Sequence, residues 1–439
     1  MTDMVSNPLI VSPEKPVVPQ SSIVSTKRDS RSSDGDYPEG GLQAWLVVFG
    51  SFLVYFSSFG IINSFGTFQE FYVREYLSSY SPTAIAFIGS LQITLLYVMG
   101  IIIGPIFDAK GFKYLYPIGA VGSVASLVAL SFTRSNQIWQ QFLSQGVLLG
   151  ISVGFGYYPA LSLVGHYFSR RRALAMGIVA AGSSAGGVCL PIMFTRLFKS
   201  IGFGWSVRVA ALITLCCYSI TMLISRTRLP PKPLKGMRYL IDFGGFKDPR
   251  YSVLAVGCVL VNLGLYSPYY YIEPYAVECG ISDAVHPYLL SMINGLSFFG
   301  RILGGQLADR YGRLNVLCPA TVLSGILCLV LWLPSTSAAP LIVFACTYGF
   351  FSGVFISVSS AAVGQISPVE KLGARMGTFF LPTAVATLVG TPIGGVFVRH
   401  GTKAEYHNVV VFAGVMVLVG SVFLSVSRFL CSRDLRAKW

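Results

Sequence analysis

Residues 294–313, "NGLSFFGRILGGQLADRYGR", place a guanidinium, Arg301, inside an otherwise apolar run. On an α-helix Asn294, Ser297 and Arg301 fall at i, i+3 and i+7, so they share one face. A permanent cation at membrane depth costs about 3 kcal/mol on insertion scales and is tolerated where it meets a wet cavity, a partner or the interface. Three roles are open to it. Its planar fork can clamp a carboxylate or another anionic group. It can pair with an acid or a carbonyl as a structural or gating contact, the nearest plausible acid outside its own segment being Glu273 in "YSPYYYIEPY" (266–275). Or it can snorkel, lying about 10 Å from the inner end of its helix at a rise of about 1.5 Å per residue. Asn63, Gln92 and Asn262 are further uncharged polar groups deep in apolar runs. Candidate substrate-binding residues are therefore Arg301, Ser297, Asn294, Asn63, Gln92 and Glu273. The tyrosines of 266–275 fit an interfacial aromatic belt, or aromatic walls if the cluster faces inward.

The elements that hold these residues follow from composition. Of 439 residues 53% are hydrophobic and 11% charged, against roughly 25% charged in soluble domains. That is too little polar material to cover a soluble surface, so the chain is expected to be an all-α membrane protein. A spanning helix needs about 20 mostly apolar residues. Twelve runs qualify: 43–68, 84–106, 115–133, 138–163, 173–195, 206–225, 251–272, 287–307, 316–333, 339–361, 376–398 and 408–428. They are continuous rather than alternating, which excludes a barrel. With both termini cytoplasmic, 24 of the 32 lysines and arginines fall in inner tails and loops and 7 at the outer side, leaving Arg301. That bias is the positive-inside pattern. The net charge of +14 then reports topology and an anionic inner leaflet, not nucleic-acid binding.

The expected organisation is a disordered cytoplasmic tail (1–38), a six-helix bundle (39–225), a basic, Pro-rich cytoplasmic loop (226–250), a second six-helix bundle (251–428) and a short tail (429–439). No signal peptide is visible. Among nine cysteines Cys279 alone falls in an outer loop, so disulfides are not expected.

The two halves repeat. "GPIFDAKGFK" (104–113) and "GQLADRYGR" (305–313) share Gly-x-x-x-Asp-x-x-Gly and a nearby cation. Asp108 and Asp309 are 201 positions apart, as are Pro191 and Pro392, while Met176-Gly177 and Met376-Gly377 are 200 apart. Paired six-helix halves are the plan of a rocking transporter with its site near mid-membrane. Its short loops are candidate gates: Gly104, Asp108, Gly111 and Lys113 in one half, Gly305, Asp309, Gly312 and Arg313 in the other. Glycines permit the tight turn, and the charges form contacts that hold one state closed. Gly146, Gly150 and Gly154, then Gly182 and Gly186, then Gly390 and Gly394 recur at four-residue spacing, which lets helix backbones approach.

No Gly-x-x-x-x-Gly-Lys-Ser/Thr loop, His-Glu-x-x-His run or Cys-x-x-Cys pair occurs, and the four histidines are not clustered. No catalytic residue, metal or cofactor is expected, and energy for transport would come from an ion or substrate gradient.

Several of these residues match a family. The chain resembles the major facilitator superfamily over all twelve runs, and within it the monocarboxylate porter branch, especially its fungal members. "PEGGLQAW" (38–45) is similar to that branch's entry to the first span, and "YFSRRRALAMGIVAAGSSAGG" (167–187) to its fifth-span signature. Arg301 sits where the branch keeps an eighth-span arginine. Proton-linked members carry a lysine eighteen residues after the entry tryptophan, where this chain has Asn63, and an aspartate four residues before the arginine, where it has Ser297. Two of the three residues that the resemblance assigns to proton and carboxylate coupling are thus replaced.

With one net positive charge and neutral hydrogen-bonding neighbours, the cavity suits an organic anion or weak acid with a larger, partly aromatic body. The resemblance implies a secondary transporter, with export of a secondary metabolite as the leading use and uptake of a monocarboxylate or riboflavin-like compound as the alternative. A non-transporting membrane sensor is the reading from another class. Expected partners are the small organic anion or metabolite and the lipid bilayer, with the proton as candidate coupling ion and no nucleic acid. The functional unit is expected to be a monomer in the plasma membrane.

Overall fold

The computed structural model describes residues 1–2, 38–228, 243–367, 372–398, 401–434 and 437–438. Most of the expected tail 1–38 and the middle of the loop 226–250 lie outside the described residues, as does the Asp108 side chain. The compact unit Tyr37–Trp439 is helical.

Its first stretch runs through α1 (Leu42–Asn63) and α2 (Phe65–Phe71) into a π-turn at Tyr72–Tyr76, followed by α3 (Pro82–Lys110) and α4 (Phe112–Ser131). Next, α5 (Ile138–Gln141) passes through a π-helical stretch into α6 (Gly150–Val164), before α7 (Arg172–Ser200) and α8 (Gly202–Ile224). The remaining helices are α9 (Pro249–Leu265), α10 (Ser267–Glu278), α11 (Leu289–Tyr311), α12 (Arg313–Leu327), α13 (Ala338–Ile366), α14 (Leu372–Phe397) and α15 (Lys403–Cys431). Eleven helical stretches among the described residues are long and apolar enough to cross a membrane. The long helix missing from that set is α11. Asn294, Ser297 and Arg301 lower its hydropathy, and all three are buried within the protein. Conversely, Leu223 is 83% and Val121 70% exposed. Large apolar side chains so displayed in numbers belong against lipid, not water.

Two extensive helix seams join elements before residue 225 to elements after residue 249: α7 against α11, and α3 against α14. The first has glycine along its length. A Cβ on Gly177 would stand 2.4 Å from the Arg301 carbonyl oxygen, and one on Gly305 2.5 Å from that of Ala173. Gly187 lies against the Asn294 side chain. The glycine stripes sit at such contacts too, with Gly182 and Gly186 on α1 and Gly150 and Gly154 on α3. All nine cysteines are free thiols.

The turns are asymmetric in use. Gly111 (φ 67°) and Gly312 (φ 105°) take left-handed backbone conformations between consecutive helices, where a side chain would be strained. Gly104 and Gly305 do not form the turns; both lie inside helices, and no atom of the described residues crowds Gly104.

Candidate functional site

Two helices break at mid-course. α1 gives way to α2 at Ser64, and α9 to α10 at Tyr266, 202 positions later. In the second break Pro268 has no amide hydrogen to return to the Gly264 carbonyl, so regular bonding stops there. Discontinuous helices in corresponding places are where transporters of duplicated design carry their sites.

Beside these breaks lies a cavity enclosing about 620 Å³ of empty space, open solvent included. Arg301, Ser183, Asn262, Ser357, Ser359 and Ser360 supply its polar surface, and Tyr55, Tyr97, Tyr157, Tyr266 and Phe380 much of its aromatic wall. Tyr97 and Phe380 stack with centroids 5.4 Å apart, and Tyr55 and Tyr157 at 4.9 Å. A smaller pocket of about 220 Å³ is lined by Asn63, Tyr269 and Tyr270 and shares Tyr266 with the first. Tyr266 therefore stands between two chambers.

Arg301 is 1% exposed, which excludes snorkelling. Its Nη1 donates to the Ala180 carbonyl oxygen at 2.7 Å and to Ser183 Oγ, and its Nε to Ser297 Oγ at 3.2 Å. Among the described residues no carboxylate lies within ion-pair distance of it. Glu273 is not its partner: the Glu273 carboxyl faces His286, with Oε1 3.8 Å from Nδ1. The carbonyl contact is made instead, and it ties α11 to α7.

The other expected residues part company. Ser297 holds the Arg301 fork from behind. Asn294 accepts from Asn63 Nδ2 at 3.4 Å and donates to the Leu290 carbonyl at 3.1 Å. Asn63 lines the smaller pocket, not the larger. Gln92 is fully buried on α3, touches neither chamber and has no hydrogen-bond partner for its amide among the described residues. The tyrosines of 266–275 do not form an interfacial belt; all are at most 5% exposed. Tyr271 donates to the Thr391 carbonyl at 2.8 Å and Tyr275 to that of Ser335 at 2.7 Å. The cavity tyrosines 55, 97 and 157 were not singled out from sequence, since an aromatic in an apolar run looks like any core residue.

At the Gly111 and Gly312 end of the bundle the contacts differ from the expected charge pairs. Asp309 accepts from the backbone amides of Ala173 (3.2 Å) and Leu174 (2.9 Å) at the start of α7. Glu39 accepts from those of Ser169, Arg170 and Arg171 just before it. Both carboxylates thus answer free amides at a helix N-terminus, where negative charge is favoured. Arg313 donates to the Ala361 carbonyl at 3.1 Å, and Lys113 is exposed.

The fold and these sites are those of a membrane transporter. The sequence pattern of the Major Facilitator Superfamily matches residues 47–313 and 288–434, and the chain belongs to that family. It is 40% identical to the MFS transporter asaE of Aspergillus flavus, over 89% of this chain and 88% of that protein. It is 39% identical to the fujikurins efflux protein of Gibberella fujikuroi (91% and 86% covered) and 36% to the aspyridones efflux protein apdF of Emericella nidulans (88% and 78%). Among solved structures it resembles the peptide transporter POT in complex with sulfate, with a TM-score of 0.68 at 16% identity, covering 92% of this chain and 98% of that one.

Proposed function

We propose that this protein exports a secondary metabolite by alternating access, the cargo being an organic anion or weak acid with an aromatic body. The observation that carries the reading is Arg301: a buried guanidinium without an acidic partner among the described residues, on the wall of a cavity lined by tyrosine, phenylalanine and serine. A buried cation left uncompensated is costly, and an arriving carboxylate would relieve it. Because Arg301 also bonds Ala180 and Ser183, an anion that draws its fork into the cavity weakens the α7–α11 seam at the same moment. Binding and rocking are then coupled through one side chain. The efflux functions named for two relatives support the direction.

In this reading α11 is the twelfth membrane span, its polar face hidden by α7 and α13. The spans form two six-helix halves (39–225 and 251–428), joined by the cytoplasmic segment 226–250, with both termini cytoplasmic. The transporter acts as a monomer in the plasma membrane and belongs to the monocarboxylate-porter branch, on the strength of the 38–45 and 167–187 segments. Untargeted metabolite profiling of cells with and without the protein tests the proposal. A compound that builds up in the medium in step with expression supports export; depletion from the medium points to uptake, and no change in either compartment to the sensor.

A further inference from the structure

A second group of ionisable side chains lies where α2 meets α10, away from Arg301. The carboxyl groups of Glu70 on α2 and Glu273 on α10 come together there. Their side chains are 26% and 12% exposed. Arg74 Nη2 lies 3.2 Å from Glu70 Oε1 on the more open flank. His286 follows in the loop between α10 and α11. Its Nε2 is 2.9 Å from Asp283 Oδ1, and the Asp283 side chain is fully exposed. Its Nδ1 is buried, has no hydrogen-bond partner among the described residues and points at Glu273, 3.8 Å from Oε1. His286 as a whole is 8% exposed.

Two ionised carboxylates cannot share so closed a place, because their repulsion is poorly screened. Arg74 pairs with Glu70 and the imidazole faces Glu273, so a proton shared between the two carboxyls rests on Glu273. The unpartnered imidazole nitrogen is placed to deliver it. With Asp283 holding Nε2–H, Nδ1 can take a proton from water while the carboxyls are apart. As they meet, that N–H bond breaks and an O–H bond to Glu273 forms, so the imidazole returns to neutral and no other atom changes partner.

We propose that Glu70, Glu273 and His286 form a proton-binding site, and that one proton is taken up when α2 closes on α10. The site lies on neither chamber wall. It uses none of the positions where this chain departs from the monocarboxylate pattern, Asn63 and Ser297. The inference rests on the alternating-access reading, in which α2 and α10 belong to opposite halves. It makes closure of this end dependent on pH. Below the titration range the proton is present and the end closes; above it both carboxylates ionise, repel and part.

The test follows the distance between spin labels at Ser78 and Ala284, both exposed and beyond the ends of the two helices. The labels go on the full chain in lipid nanodiscs, with its exposed and half-exposed cysteines changed to serine. Spectra are taken from about pH 5 to about pH 9, a range that spans histidine and coupled-carboxyl titration. For one proton the ratio of short- to long-distance populations should fall about tenfold per pH unit through the transition. The Glu70→Gln/Glu273→Gln double variant should stay closed throughout. A distribution unchanged by pH in the otherwise native chain overturns the proposal, and that measurement alone decides if the double variant does not insert. A double variant that titrates like its parent overturns it as well. No transported compound is needed, so failure here and failure of the export reading are separately visible.

Discussion

Arg301 and Glu273 are both charged-type side chains withdrawn from water, yet their surroundings handle them in opposite ways. Around Arg301 the partners are neutral: a carbonyl and two hydroxyls, in a cavity with no described acid in reach. Around Glu273 the partners are themselves ionisable: Glu70, His286 and, one step away, Arg74 and Asp283. A fixed cation among neutral dipoles keeps its charge at every physiological pH and waits for an anion from outside. A carboxyl among titratable neighbours can shed or gain its charge, and so responds to the solution. On the readings proposed above, the difference assigns cargo recognition to the first region and response to protons to the second.

That division breaks most sharply at Arg301. Replacement by lysine keeps the charge but removes the planar fork, so the ties to Ala180, Ser183 and an incoming carboxylate cannot all be made. Losing one charge-assisted hydrogen bond, worth about 1.5–3 kcal/mol, should lower export of the profiled metabolite by about tenfold or more. Membrane abundance should be normal. Efflux from matched cells checks it, and full activity in Arg301→Lys at several cargo levels would refute the clamp. External pH should scale export in this variant as it does in the native chain, because the acid pair is untouched.

Next in size is the seam behind the arginine. Alanine at Gly177 must push on the Arg301 carbonyl oxygen, 2.4 Å from the new methyl group and part of a helix backbone that yields little. Overpacking of this kind costs about 1–3 kcal/mol. Gly177→Ala should therefore lower the thermal unfolding midpoint in detergent and depress export together. Alanine at Gly104, where no atom of the described residues lies within 4 Å of the new methyl group, should change neither.

Much of this was legible in the sequence. The apolar runs gave the helices because a bilayer leaves the backbone no other way to satisfy its bonds, and Arg301 stood out because nothing else in such a run resists desolvation so strongly. The chambers were not legible. Tyr55, Tyr97 and Tyr157 differ from lipid-facing aromatics only in the side of the helix they occupy, and mean composition carries no such information. Gln92 misled for the reverse reason: an amide in an apolar run suggests a wet wall, but close packing of α3 against Gly150 buries it away from both chambers. Asp309 was expected to make charge contacts with a lysine or arginine and instead accepts from the Ala173 and Leu174 amides, since backbone amides leave no mark in a sequence.

The smallest effect is expected at Asp309. Its carboxylate accepts from two amides that open α7, and an interaction of charge with a helix N-terminus contributes about 0.3–1 kcal/mol. Asparagine keeps the shape and one acceptor oxygen but loses the charge. Asp309→Asn should therefore loosen this end of the α7–α11 seam by a factor of about two to five in population, without displacing Arg301 about two helical turns away. The measurement is the labelling rate of a cysteine placed at Ala173, whose carbonyl oxygen packs on Gly305, by a maleimide in the presence and absence of the Asn substitution. A faster rate with unchanged cargo affinity locates Asp309 in the latch. Weakened affinity instead would mean that this end and the Arg301 cavity are not separable, and that the charge on Asp309 reaches the cargo directly.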